Sequence, residues 1–155
     1  MSVNMPLSLA QYFISQGENA GRPITNKKLQ KLLYYAQAWS LVLRDAPLFN
    51  EPIEAWIHGP VVPSVYRQYK EFGFAPINNQ EYDQNTFPEE IEDLLDEVWD
   101  IYGKYDANYL EALSHSEAPW IQARSTLDSD TNSSAIISHE SMKNFYSTLQ
   151  SEKSN

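Results

Sequence analysis

The chain contains no cysteine. Disulfides, thiolate metal ligands and cysteine nucleophiles are therefore excluded, and three scattered histidines leave little material for a zinc or iron centre. Glycine is scarce, 5 in 155 residues, and no GxGxxG or GxxxxGK run is present, which excludes a phosphate-cradling loop of either kind. Long apolar runs are missing as well. The longest, Leu32 to Ala36, spans five residues, far short of the roughly 20 that a membrane helix needs. The first ten residues carry neither a basic n-region nor an apolar h-region, so neither secretion nor membrane insertion is expected. Absent disulfides suit a reducing, cytoplasmic compartment. With 42% hydrophobic and 13% aromatic residues, the composition is that of a folded globular chain long enough for one domain with its own core.

Basic side chains are few, 11 against 21 acidic, for a formal net charge of −10. The imbalance is polarised. Residues 1–75 carry 7 basic and 5 acidic side chains, net +2, and residues 76–155 carry 4 and 16, net −12. Nine acids and no base lie between Glu81 and Asp100, a stretch that would repel a phosphate backbone, so nucleic acid is not expected as a direct ligand. A solvated helix face is the plainer explanation of the acids, and a basic partner the sharper one.

Apolar periodicity predicts a first helix from Leu7 to about Glu18, with Leu9, Ala10, Phe13 and Ile14 inward. Thr25 is placed to cap a second, Ile24 and Leu29 to staple it, and the pattern runs to Arg44 before Pro47. Leu29, Leu32, Leu33, Ala36, Trp39, Ser40 and Leu43 share one face of that helix, which is predicted to be core. Tyr34, Ala38 and Leu41 form another stripe, so the helix is either central or offers Tyr34 and Leu41 to a partner. Leu48 to His58 predicts one or two short strands around Glu51-Pro52, ended by Gly59-Pro60. Pro63 opens a helix through Tyr66, Tyr69 and Phe72, closed by Gly73, and residues 75–85 are loop-like. Thr86 to Glu89 has the form of a capping box. It precedes an amphipathic helix with Ile91, Leu94, Leu95, Val98, Ile101, Tyr102 and Tyr105 inward and Glu89, Glu92, Asp93 and Asp96 among the outward acids. Short helices follow from Asp106 to Ser114 and from Trp120 towards Leu127. A polar stretch over 128–134 precedes a last helix capped by Ser138, stapled by Ile137 and Met142, and burying Phe145 and Leu149. Residues 151–155 are expected to fray. The predicted fold is mainly α, six or seven helices with a small strand pair, in one domain.

No active site stands out. Ser114-His115-Ser116-Glu117 contains triad residue types, but sequence neighbours rarely converge as a triad and no nucleophile elbow is present. His115 and Glu117 with distant His58 and His139 match no metal-ligand spacing, and the acids on the amphipathic helix face water, where ordinary pKa values do not support general acid work. No cofactor or metal is expected. Two clusters remain, each joining aromatics, a histidine and proline: Ala55 to Tyr66, with Trp56, His58 and Tyr66, and Leu113 to Trp120, with His115 and Trp120. Either they are packing corners, or they form a recognition surface of the aromatic kind that anchors protein interfaces.

These clusters, together with Ile24-Thr25-Asn26-Lys27-Lys28-Leu29-Gln30-Lys31-Leu32-Leu33-Tyr34-Tyr35-Ala36-Gln37-Ala38-Trp39, make the chain resemble the Panacea domain. The matching stretches are this run, Ala55-Trp56 with Gly59-Pro60-Val61-Val62 and Val65-Tyr66, and Ser114-His115 with Pro119-Trp120. That family includes SocA-type antitoxins and phage-associated GepA-like proteins. The resemblance implies a bacterial antitoxin that binds and neutralises a cognate toxin encoded beside it. It also implies that SocA-type members act as adaptors delivering toxin to a bacterial AAA+ protease. On this reading residues 1–127 are the Panacea-like domain, and 128–155 are a polar linker and a helix packing on it or extending it. The family is not assigned a settled catalytic activity. No appended helix-turn-helix with a basic recognition helix is present in the chain, so DNA-binding autoregulation is not expected. The rival readings are a prophage-associated interaction protein without a toxin, and an enzyme using His58 or His115. The partner-facing candidates are Tyr34, Leu41, Trp56, His58, Tyr66, His115, Trp120, Glu89, Glu92, Asp93 and Asp96.

Overall fold

The computed structural model describes residues 5–78, 87–125 and 133–153. Among these, seven α-helices and one two-stranded antiparallel sheet form a helix-dominated domain. In chain order they are α1 (Met5–Asn19), α2 (Asn26–Leu43), β1 (Glu54–Trp56), β2 (Gly59–Val61), α3 (Pro63–Tyr69), α4 (Glu89–Tyr102), α5 (Ala107–His115), α6 (Ala118–Ala123) and α7 (His139–Lys153). A 3₁₀ turn over Lys70–Phe72 extends α3 to Gly73. No described helix is long and apolar enough to cross a membrane.

Helix α2 is the axis. Thr25 caps it, accepting the Lys28 amide at 3.1 Å, and Ile24 and Leu29 are buried at the two staple positions. α1, α3, α4, α5, α7 and the hairpin all pack on it, which leaves almost no wet face. The stripe with Tyr34, Ala38 and Leu41 is therefore central. Tyr34 and Leu41 cannot serve as partner-facing residues, because α7 lies over Tyr34 and Leu41 is enclosed in the same core. At the far end the helices part. Leu43, expected in the core, is 49% exposed, and Ile101 on α4 is 43% exposed; with Trp39, Leu94 and Val98 they line a groove of about 220 Å³.

A helix buried all round must satisfy its polar side chains inside the protein. Those on α2 do so largely by holding the backbone of neighbouring segments. Gln37 Nε2 donates to the Phe49 carbonyl at 2.7 Å while its Oε1 accepts the Leu48 amide at 2.7 Å. Gln30 Oε1 accepts the Val62 amide at 2.9 Å, and Asn26 Nδ2 donates to the Tyr66 carbonyl at 3.1 Å. Tyr35 donates to Glu117 at 2.7 Å, as does Tyr146 of α7 at 2.9 Å, and Tyr34 lies 2.9 Å from the Tyr146 hydroxyl. Tyr146 is fully enclosed on α7, with Met142, whereas Phe145 and Leu149, expected from periodicity to be buried, are only half-buried. Burial in this phenol cluster pushes Tyr34, Tyr35 and Tyr146 well above the ordinary range and Tyr102 to about 12.

The strand pair differs from expectation in position. Gly59-Pro60, predicted to end the extended segment, forms the second strand, with Glu54 opposite Val61, Ala55 opposite Pro60 and Trp56 opposite Gly59. A proline is tolerated there because Ala55 directs its backbone away from β2. Its amide donates to the Ala135 carbonyl and its own carbonyl accepts Arg124 Nη1, both at 2.8 Å. The capping-box residue Thr86 lies outside the described residues, as do Leu127 and most of the 75–85 and 128–134 stretches; Pro88 is the residue preceding α4, without a side-chain cap. Ser138 Oγ accepts the Ser141 amide at 3.0 Å at the start of α7, and Asp106 caps α5.

Gln37→Leu should cost about 2–5 kcal/mol, because it leaves a buried amide and a buried carbonyl without partners. In urea denaturation the midpoint falls while the slope stays that of a two-state domain. An unchanged midpoint would mean that the 48–49 segment is held some other way.

Candidate partner-binding corner

Tertiary structure brings the two sequence clusters together at one end of α2. The hairpin turn Ile57-His58 lies against α5, and the start of α6 lies beneath β1. Trp120 Nε1 donates to the Trp56 carbonyl at 2.8 Å, and its ring stacks on His115 with centroids 4.1 Å apart. Arg124 sits over the Trp120 ring at 4.9 Å while gripping the Ala55 carbonyl. Trp120 is thus buried, an internal strut rather than the exposed contact expected of it. His115 is half-buried beside the Ile57 backbone. Desolvation lowers its pKa despite the opposing pull of Glu111, which favours the neutral ring.

The outer surface carries the remaining candidates. His58 has 70% of its side chain exposed, with Nδ1 3.4 Å from Glu111 Oε1. Trp56 and Tyr66, both partly exposed, meet edge to face at 4.9 Å, and Trp56 Nε1 donates to Glu54 at 2.9 Å. Trp56, His58 and Glu54 line an open depression of about 590 Å³ with Ser133 and Ser134. Glu111 is also held by Lys27 at 2.5 Å. Burial pushes the Glu111 carboxyl up, but the Lys27 bond and charge, with smaller pulls from His58 and His115, bring it below the usual carboxylate range.

Behind this surface is Lys31, 1% exposed, a residue that the sequence clusters did not single out. Its ammonium points at the Pro60 carbonyl, 3.3 Å away. Gly59 has φ +110°, which favours glycine, and a Cβ there would come within 2.5 Å of Lys31 Cε and so would also displace the lysine's end. Desolvation, reinforced by Lys27 and opposed by Glu111, lowers Lys31 to about 7. A sequence signal existed: Lys31 precedes Tyr35 by four and Ala38 by seven, on the same buried stripe. Lys27, Glu111, Arg124 and Glu117 were also absent from the sequence candidates, since each acquires its role only from a partner distant in sequence.

The acids lie elsewhere. Glu89, Glu92, Asp93 and Asp96 are exposed on α4, whose first turn adjoins the far end of α2 through Arg44 and Glu90, 3.2 Å apart. Asp96 also receives the Tyr12 hydroxyl of α1. From Lys31 to Arg44 is about 20 Å of helix, so acids and hairpin corner are separate surfaces. Near the histidines, Ser114 Oγ donates to the Glu111 carbonyl at 3.1 Å and Ser116 Oγ to that of Leu113 at 2.6 Å, so both hydroxyls are engaged by their own helix. Among the described residues no three His, Asp or Glu side chains converge as a metal site.

The architecture so defined is a central-helix domain whose two proline-bearing corners meet around one hairpin. Residues 29–121 match the family described as Antitoxin SocA-like, Panacea domain, and the chain belongs to that family. It is 36% identical over 110 residues to Antitoxin SocA of Caulobacter vibrioides (strain NA1000 / CB15N), an alignment covering 63% of this chain and 58% of that relative. The chain thus aligns with less than two thirds of the relative's length. No solved structure matches it.

The burial of Lys31 makes stability depend on pH with a definite sign. Between about pH 7 and its ordinary value of 10.5, the unfolded chain holds a proton that the folded chain has released, so this group makes stability rise with pH. The slope is at most about 1.4 kcal/mol per pH unit. Above pH 10 the buried phenols act oppositely, because the folded chain retains protons that the unfolded chain loses. Comparing denaturation of wild type and Lys31→Met from pH 6 to 9.5, the variant should show the flatter profile. Equal slopes would mean that Lys31 keeps its charge on folding.

Proposed function

We propose that the protein is an antitoxin that holds a cognate toxin in an inactive complex through protein–protein contact. The carrying observation is its membership of the SocA-like family, supported by a relative named as an antitoxin. The hairpin corner is the surface we assign to the toxin. It offers Trp56, Tyr66 and His58 on a backbone held from behind by Lys31, Gln30 and Arg124. Rigid, partly exposed aromatics of this kind anchor interfaces with little entropy left to lose.

A basic toxin would find a second, electrostatic contact in Glu89, Glu92 and Asp93, the acids that no neighbour restrains among the bonds described above. Delivery of the bound toxin to an AAA+ protease is the finer version of the same reading. Toxin half-life in cells with and without this protein separates it from masking, which requires no turnover.

Inducing the reading frame beside this gene, with and without this chain, should give growth arrest that the chain relieves and a complex that co-purifies. A harmless neighbour, or arrest without relief, rejects the antitoxin reading and favours a prophage interaction protein. Trp56→Ala with Tyr66→Ala should weaken the complex at least roughly tenfold, a loss of about 1.4 kcal/mol or more, while the fold persists. Full affinity in that variant removes the corner from the interface. Charge reversal at Glu89, Glu92 and Asp93 should slow association and flatten its salt dependence. If neither changes, acidic mimicry is rejected. Retained protection after His58→Ala and His115→Ala removes the enzymatic alternative.

A further inference from the structure

A chain with 21 acids gathers four of its 11 basic side chains around one cleft of about 570 Å³. Arg22, Lys27, Lys28 and Lys104 line it, with Thr25, Phe74, Tyr105 and the single acid Asp106. Asp106 caps α5, where it accepts the Tyr109 amide at 2.8 Å, and its charge offsets part of that of Lys28. No carboxylate pairs with Arg22 or Lys104 among the described residues, and Lys104 instead lies 5.3 Å from the Tyr105 ring centre. Lys28, at the cleft's inner wall, donates to the Gly103 carbonyl and sits 5.5 Å from the Trp99 ring centre, close enough to Arg22 that the two cations repel. Lys27 is already paired with Glu111, but Arg22, Lys28 and Lys104 outnumber the one lining carboxylate, and that excess of like charge raises the free energy of the empty cleft. A multiply charged anion relieves that cost.

Aromatic surface accompanies the charge. Phe74 is 95% exposed on the rim, and Tyr105, stacked on Tyr109 at 4.2 Å, forms part of the wall. Cations for phosphates beside flat apolar faces for a ring, in a volume typical of small-molecule sites, define the ligand's chemistry. We propose that this cleft binds a nucleoside di- or triphosphate, its phosphates on Arg22, Lys28 and Lys104 and its base on Phe74 and Tyr105. The proposal does not depend on the antitoxin reading. Lys27 connects the two surfaces, since it lines the cleft and also bonds Glu111, the neighbour of His58.

The test is calorimetric titration of the full chain in about 150 mM salt with ATP, adenosine, pyrophosphate and an oligoglutamate peptide. ATP should bind at least roughly tenfold more tightly than each of the other three, with affinity falling as salt rises. Arg22→Glu with Lys104→Glu, both exposed positions, should weaken ATP by roughly tenfold or more with unchanged urea stability. Absence of ATP binding, or an affinity the double variant does not alter, overturns the proposal. So does pyrophosphate binding as tightly as ATP, which leaves the rings without a role, or preference for the peptide, which makes the cleft a protein-docking surface.

Discussion

The burial of α2 on nearly every face is the constraint from which the rest of the structure follows. A helix in that position cannot leave polar side chains to water, and α2 carries Asn26, Lys28, Gln30, Lys31, Gln37 and Ser40 in buried positions. Each gains a partner from a segment outside the helix or, for Gln30 and Asn26, from a pair one turn apart that then reaches outward. The consequence is that the 48–49 segment, the end of β2 at 60–62 and α3 at Tyr66 are held at defined points along one rigid axis. Buried polar networks of this kind cost heavily when half-satisfied, so they select one arrangement of the surrounding chain over its compact alternatives.

The same economy explains the corner. Lys31 enters the core where an aliphatic residue would pack at lower desolvation cost, and any side chain at position 59 would both strain the backbone and displace the lysine's end. Gly59, Pro60 and Lys31 therefore form one unit, though the lysine is 28 residues from the glycine in sequence. Trp120 and Arg124 close the unit from below through the carbonyls of Trp56 and Ala55. What faces outward is a short hairpin with little freedom to rearrange, carrying Trp56 and His58 beside Tyr66. The charge asymmetry of the chain becomes spatial as well: cations collect at the start of α2 and acids along α4 near its end.

Much of this was legible in the residues. The caps at Thr25 and Ser138, the staples Ile24 with Leu29 and Ile137 with Met142, and the acidic face of α4 are local features, and local spacing reports local structure. Where periodicity misled, a neighbour decided the outcome. Leu43 and Ile101 continue apolar stripes past the point where α2, α4 and α7 diverge. The stripe of Tyr34 and Leu41 could be central or partner-facing by periodicity, and α7 with the surrounding core makes it central. Of the corner, the sequence made Trp56, His58, Tyr66, His115 and Trp120 visible as two separate clusters. Their convergence and the division into buried strut and exposed contact were not visible.

From sequence alone follow a cysteine-free, mainly helical domain around one long helix, its charge polarity, and the motifs that tie it to the SocA-like Panacea family. Those properties depend on composition, on 3.6-residue periodicity and on residues within a few positions of one another. Only the tertiary structure decided that Lys31 is buried against Pro60, that Glu117 joins tyrosines of two helices, and that Arg22, Lys28 and Lys104 share a cleft. Each of those depends on distance between residues tens of positions apart, and burial and electrostatic energy are set by that distance rather than by order along the chain.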